Sequence, residues 1–88
     1  MSEPSGELTP IKPARIAQEL ARLSAEFRAG EIKNDMYDQR FARMIQELRA
    51  RRIEGSREDI VAALQPLVQA GEVTEKEQFR LLAQLGMK

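Results

Sequence analysis

The 88-residue chain contains no histidine, no cysteine and no tryptophan. Each absence removes a chemistry. Without histidine, acid–base catalysis near neutral pH loses its commonest agent. Without cysteine there is no disulfide framework, no thiolate nucleophile and no thiolate metal site. The same lack fits a reducing compartment, and cytoplasmic residence is the expectation. There is no excess of either sign: fourteen Lys and Arg balance fourteen Asp and Glu. Zero net charge removes any global pull toward nucleic acid or an anionic membrane surface. Apolar runs extend only a few residues, whereas a membrane-spanning helix needs about 20. No membrane role is expected. The opening "MSEPSGELTPIKP" lacks a basic start followed by an apolar run, so no secretory signal is expected either. Aromatic residues are limited to Phe27, Tyr37, Phe41 and Phe79. The core must therefore be mostly aliphatic.

What remains suffices to fold. Hydrophobic residues make up 42% of the chain and charged residues 32%, the balance of one small, well-solvated domain. Residues 1–12 carry two prolines, two serines and a glycine with no helical periodicity. They read as a flexible N-terminal tail that orders, at most, on a partner. Residues 13–88 read as a single helical domain.

The spacing predicts four helices. The first opens at Pro13, which a first turn tolerates because its missing N–H needs no partner there. Ile16, Leu20, Leu23 and Phe27 form its apolar stripe, and Gly30 stops it. The second starts at Asn34 as N-cap, with Asp35 in the positive first turn. Its stripe is Tyr37, Phe41, Met44, Ile45 and Leu48, and it runs to about Ile53 before Gly55. The third is capped by Ser56 in "SRED" and turns Ile60, Val61, Leu64, Leu67 and Val68 inward. Pro66 lies inside that pattern and predicts a kink or an early stop. Gly71 closes it. Thr74 and Glu77 in "TEKE" then form a full capping box for the fourth helix, which carries Phe79, Leu81, Leu82 and Leu85 to a stop at Gly86.

One phrase occurs twice. "AGEI" at Ala29–Ile32 returns forty-one positions later as "AGEV" at Ala70–Val73. Aligning Gly30 with Gly71 brings Leu23 onto Leu64, Phe27 onto Val68, Ile32 onto Val73, Phe41 onto Leu82 and Met44 onto Leu85. Each unit reads as helix, glycine stop, apolar plug, cap, helix. Connections this short make the joined helices antiparallel neighbours. The expected fold is all-α: a four-helix arrangement of two antiparallel hairpins, 13–53 and 56–86, with Ile32 and Val73 plugging the ends of the core.

The turn has two relatives among known motifs. An EF-hand loop also places glycine, an aliphatic residue and glutamate as Gly71, Val73 and Glu77 stand here. Its calcium-ligating places would fall on Pro66, Val68 and Ala70, which offer no side-chain oxygen. Calcium binding is therefore rejected. "LQPLVQAGEVTEKEQFRLLAQL", Leu64 to Leu85, resembles the short C-terminal helical hairpin called the SHOCT domain: leucine-rich helix, glycine, aliphatic residue, threonine, acidic stretch, second apolar helix. Leu20 to Ile45 is a looser match, with Lys33 where threonine would stand. The resemblance implies an interaction or oligomerisation module and carries over no catalytic residue.

Other constellations point the same way. Asp35 and Asp38 stand three apart, but in a helix start, where acidic residues follow from the helix dipole alone. Glycines occur singly, so no phosphate-cradling loop is present. No dense acidic cluster offers an all-carboxylate metal site. No catalytic, cofactor-binding or metal-ligating residue is assigned, and an enzyme is not expected. The uneven feature is Arg40 to Arg57, where six arginines outnumber two glutamates and no lysine appears. Arginine favours flat, bidentate contact with carboxylate or phosphate, although cations also gather at a helix C-terminus to complement its dipole. Arg49, Arg51, Arg52 and Arg57 are the candidate contacts, with Met87 and the broad face of the fourth helix as an apolar edge. The expected function is a non-enzymatic adaptor or regulatory module that binds another protein, one with an acidic surface, or a second copy of itself. The alternative is a nucleic-acid-binding protein using residues 40–57.

Overall fold

A computed structural model of the chain describes residues 9–87. It is all-α, with four helices: α1 (Pro13–Arg28), α2 (Asn34–Arg51), α3 (Arg57–Gln69) and α4 (Glu75–Gln84). Each helix contributes one buried stripe to a shared core. Ile16, Leu20, Phe41, Leu48, Ile60, Leu64 and Leu81 are almost wholly enclosed, and Val73 with them. Burying each such side chain stabilises the fold by about 1.5–3 kcal/mol. Ile32, the plug of the first turn, is half-buried against the same cluster.

The two glycine turns are built alike. Gly30 and Gly71 both sit at φ +79, a left-handed conformation that L side chains disfavour. The Gly30 N–H donates to Phe27 O at 3.1 Å, and the Gly71 N–H donates to Val68 O at 3.1 Å. The next residue then reaches five back: Glu31 N–H to Glu26 O at 3.0 Å, Glu72 N–H to Leu67 O at 2.8 Å. This paired closure satisfies helix-end carbonyls and turns the chain back. Gly86 and Met87 repeat it at the end of α4. The sequence recurrence is thus a recurrence of geometry.

The hairpins lie side by side. At one end, Ile11 and Ile53 form an isolated parallel bridge just before α1 and α3. At the other, the Arg28 guanidinium closing α1 donates to Gly71 O and Glu72 O, just beyond α3, at 3.3 Å each. Helices α1 and α3 therefore run in the same direction, and their contact is the most extensive between any two helices. Helices α2 and α4 run the other way. Tyr37 meets Glu77 near their N-termini, and Arg49 meets Gln84 O near their C-termini. The order is up, down, up, down, with both glycine turns at one end.

Several expectations need correction. Ile11, placed in the tail by sequence, is 3% exposed. Its N–H donates to Arg52 O at 3.0 Å, and its carbonyl accepts from Glu54 N–H at 2.8 Å. The remainder of the expected tail, residues 1–8, lies outside the described residues. The N-cap of α2 is Lys33, with no side-chain cap bond, and Asn34 is the first helical residue. That helix ends at Arg51 rather than Ile53. Arg52, at φ 69 and ψ 148, breaks it so that its carbonyl can pair with Ile11. Pro66 does not stop α3, which continues to Gln69. Its missing N–H spares only the carbonyl of Ala62, an exposed residue that water can satisfy. Phe79 is 60% exposed. Successive helical residues turn about 100°, and the inward stripe of α4 is Leu81, Leu82 and Leu85, so Phe79 stands beside it.

Candidate functional site

Glu77 is the hinge-point of the candidate site. As the third residue of α4 it completes the capping box: its Oε1 accepts from Thr74 N–H at 2.9 Å, while Thr74 Oγ1 accepts from Glu77 N–H at 3.1 Å. The same Oε1 accepts from Ser24 Oγ of α1 at 3.0 Å, and Oε2 accepts from the Tyr37 hydroxyl of α2 at 2.7 Å. One carboxylate therefore ties three helices together. Charge-assisted bonds of this kind are stronger than neutral ones.

Tyr37 is held on every side. Its ring stacks on Phe27 with centroids 4.6 Å apart and planes 22° apart. It meets Phe41 edge-on at 6.0 Å. Arg80 of α4 sets its guanidinium 4.3 Å from the Phe41 centroid and 5.9 Å from that of Tyr37, and pairs with Asp38 at 3.1 Å. Burial, then the hydrogen bond to Glu77 and its negative charge, push the Tyr37 phenol well above its usual pKa of 10.0. Arg80 opposes that rise and Asp38 adds to it.

These side chains wall a groove of about 440 Å³ at the end of the molecule that carries the glycine turns. Phe27 and Tyr37 form one wall, Thr74, Lys76, Glu77 and Arg80 the other, and Ser24 and Arg28 complete the lining. Phe27, expected to be core, is 36% exposed and presents part of its ring to this space. Its extra bulk relative to its counterpart, the half-buried Val68, reaches past the core edge.

The arginines of residues 40–57 take different partners. Arg40 pairs with Glu26 at 2.7 Å. Arg49 donates to the Gln84 carbonyl at 2.6 Å and so caps the end of α4. Arg51 donates to Thr9 O at 3.0 Å and pairs with Glu47 at 3.2 Å. Arg52 and Arg57 are exposed, and their side chains make no hydrogen bond or ion pair among the described residues. Two of the four candidates, Arg49 and Arg51, thus bond within the fold, and Arg52 and Arg57 stay exposed. Met87 packs half-buried against the core.

Sequence reasoning identified Thr74 and Glu77 as a cap but missed what the carboxylate's other lone pairs do. It also missed Phe27, Arg28, Lys76 and Arg80 as neighbours of one groove. The alignment of the two turns sets Tyr37 on Gln78 and Glu77 on Met36, so it places both residues in a first helical turn without pairing them. Among the described residues, no group of three or more Asp and Glu side chains is placed to hold a metal, and no helix is long and apolar enough to cross a membrane. Compared with known proteins, the chain matches no family model, no curated sequence and no solved structure.

Proposed function

We propose that the protein is a small non-enzymatic interaction module, an adaptor or regulatory protein whose contact surface is the groove at the glycine-turn end. The observation that carries this reading is the Phe27–Tyr37 stack, in which a half-exposed Phe27 ring is backed by the buried Tyr37 ring, in a chain with only four aromatic residues. Exposed aromatic surface set in a pocket is the usual anchor point of a protein interface. The polar groups around it are engaged in structural bonds: Glu77 with Ser24, Thr74 and Tyr37, and Arg80 with Asp38. The resemblance of Leu64 to Leu85 to a SHOCT hairpin supports the same class of function.

A photo-crosslinking side chain tests this reading. It is placed at Lys76, on the groove, or at Glu58, in the first turn of α3 at the opposite end. The proposal expects a discrete protein adduct from position 76 and none from position 58, in the cell that makes the protein. Adducts from position 58 alone, or adducts removed by nuclease, would replace it with the nucleic-acid reading of residues 40–57.

A further inference from the structure

Resting on the reading of the groove as a contact surface, we infer that its occupant is a peptide segment with one apolar anchor residue flanked by carboxylates. The anchor follows from shape. The Phe27 and Tyr37 rings are fixed, one by stacking and the other by its bond to Glu77, so the wall is preorganised. The opposite wall includes Lys76 and Arg80, whose aliphatic stems cover apolar surface while their charges stay in water. A volume of about 440 Å³ is room enough for an apolar anchor side chain.

The flanking charge follows from electrostatics. Four charged residues line the groove: Arg28, Lys76, Arg80 and Glu77. The Glu77 carboxylate accepts from Ser24, Tyr37 and the Thr74 amide, all neutral donors within the protein, and keeps its negative charge. Arg80 keeps its partner Asp38. Arg28 contacts only the carbonyls of Gly71 and Glu72, both at 3.3 Å, which leaves three of its five N–H donors and its whole charge uncompensated. Lys76 is exposed and makes no ion pair among the described residues. With Arg80 paired to Asp38, the groove therefore sets two cations, Arg28 and Lys76, against the one carboxylate of Glu77, a net positive lining in a chain of zero net charge. A carboxylate on either side of the anchor completes both, whereas a basic or neutral segment completes neither.

Panning a random peptide library on the purified protein tests the inference, with affinities read by fluorescence anisotropy. The expected peptides share one Leu, Ile, Phe or Trp flanked by Asp or Glu. Lys76→Glu should weaken them about tenfold or more, as should Phe27→Ala. Lys76→Glu places an acidic residue in the first turn of α4, where the helix dipole accepts it, so folding is kept. Binders lost on Phe27→Ala but indifferent to Lys76→Glu, with neutral or basic flanks, would overturn the acidic chemistry and leave the groove reading intact. No enriched peptide, or peptides indifferent to both variants, would overturn both. A dimer in light scattering that Phe27→Ala dissociates would make a second copy the occupant and also overturn the inference.

Discussion

Tyr37 in α2 and Glu77 in α4, forty residues apart, are joined by a 2.7 Å hydrogen bond that spans the two hairpins. The acceptor is also the cap of its own helix. Local helix-start chemistry and the tertiary clamp therefore share one carboxylate, and the aromatic wall of the groove is fixed by the group that starts α4.

Removing that carboxylate should cost more than a cap alone. Glu77→Ala is expected to destabilise the protein by about 2–4 kcal/mol, from a lost cap plus lost bonds to a charged group. Tyr37→Phe should cost about 1 kcal/mol. In a double-mutant cycle with Glu77→Gln the two should couple by about 0.5–3 kcal/mol, read from urea unfolding. Strict additivity would mean the bond contributes nothing.

The same pair sets an alkaline limit. The folded-state pKa of Tyr37 is raised, so the folded protein holds the phenol proton more tightly than the unfolded chain does. The stability this contributes is complete below pH 10, the unfolded value, and declines as pH rises from there through the folded value. The decline approaches about 1.4 kcal/mol per pH unit from this group. Tyr37 is the sole tyrosine, so tyrosinate absorbance reports it alone. That absorbance should appear above the usual midpoint and together with loss of helical circular dichroism. Tyr37→Phe should flatten the decline between pH 10 and 11.5.

Much of the fold was legible because helix stops and starts are local. Gly30 and Gly71 turn the chain, Ser56 and Thr74 cap as their motifs require, and the stripes of Leu20, Leu64 and Leu81 enter the core. The site was less legible because it depends on which helices become neighbours. Nothing near Glu77 in sequence announces Ser24 or Tyr37. The run Arg49, Arg51 and Arg52 looks like one patch when written out. A helix separates successive residues by about 100°, and the chain leaves the helix at Arg52, so Arg49 meets α4 while Arg51 meets Thr9. Ile11 was invisible as a core residue because a single apolar side chain between prolines carries no period.

The two glycine turns should respond equally to substitution. A Cβ at Gly30 or at Gly71 meets nothing within 4 Å, so the cost of alanine is the left-handed backbone alone. Gly30→Ala and Gly71→Ala should each lose about 1 kcal/mol. Thermal unfolding of the two variants should agree closely. A much larger loss at either site would mean that contacts, rather than backbone conformation, dominate there.

Arg52 should respond in the opposite sense. Its φ of 69 and ψ of 148 fall in a region that glycine occupies almost alone. Relief of that strain outweighs the extra chain entropy glycine brings, so Arg52→Gly should stabilise the protein by about 1 kcal/mol. A higher urea midpoint at unchanged slope is the expected result, and a lower midpoint would show that the arginine side chain holds the Ile11–Ile53 pairing.

The most direct measurement of the central claim is a ¹H–¹⁵N correlation titration of the whole chain with an acidic-flanked, single-anchor peptide. The account predicts shifts concentrated on Phe27, Arg28, Tyr37, Lys76 and Arg80, with Arg52 and Arg57 unmoved. Shifts centred on Arg49 to Arg57, or scattered over the surface with no cluster at Tyr37, would contradict it.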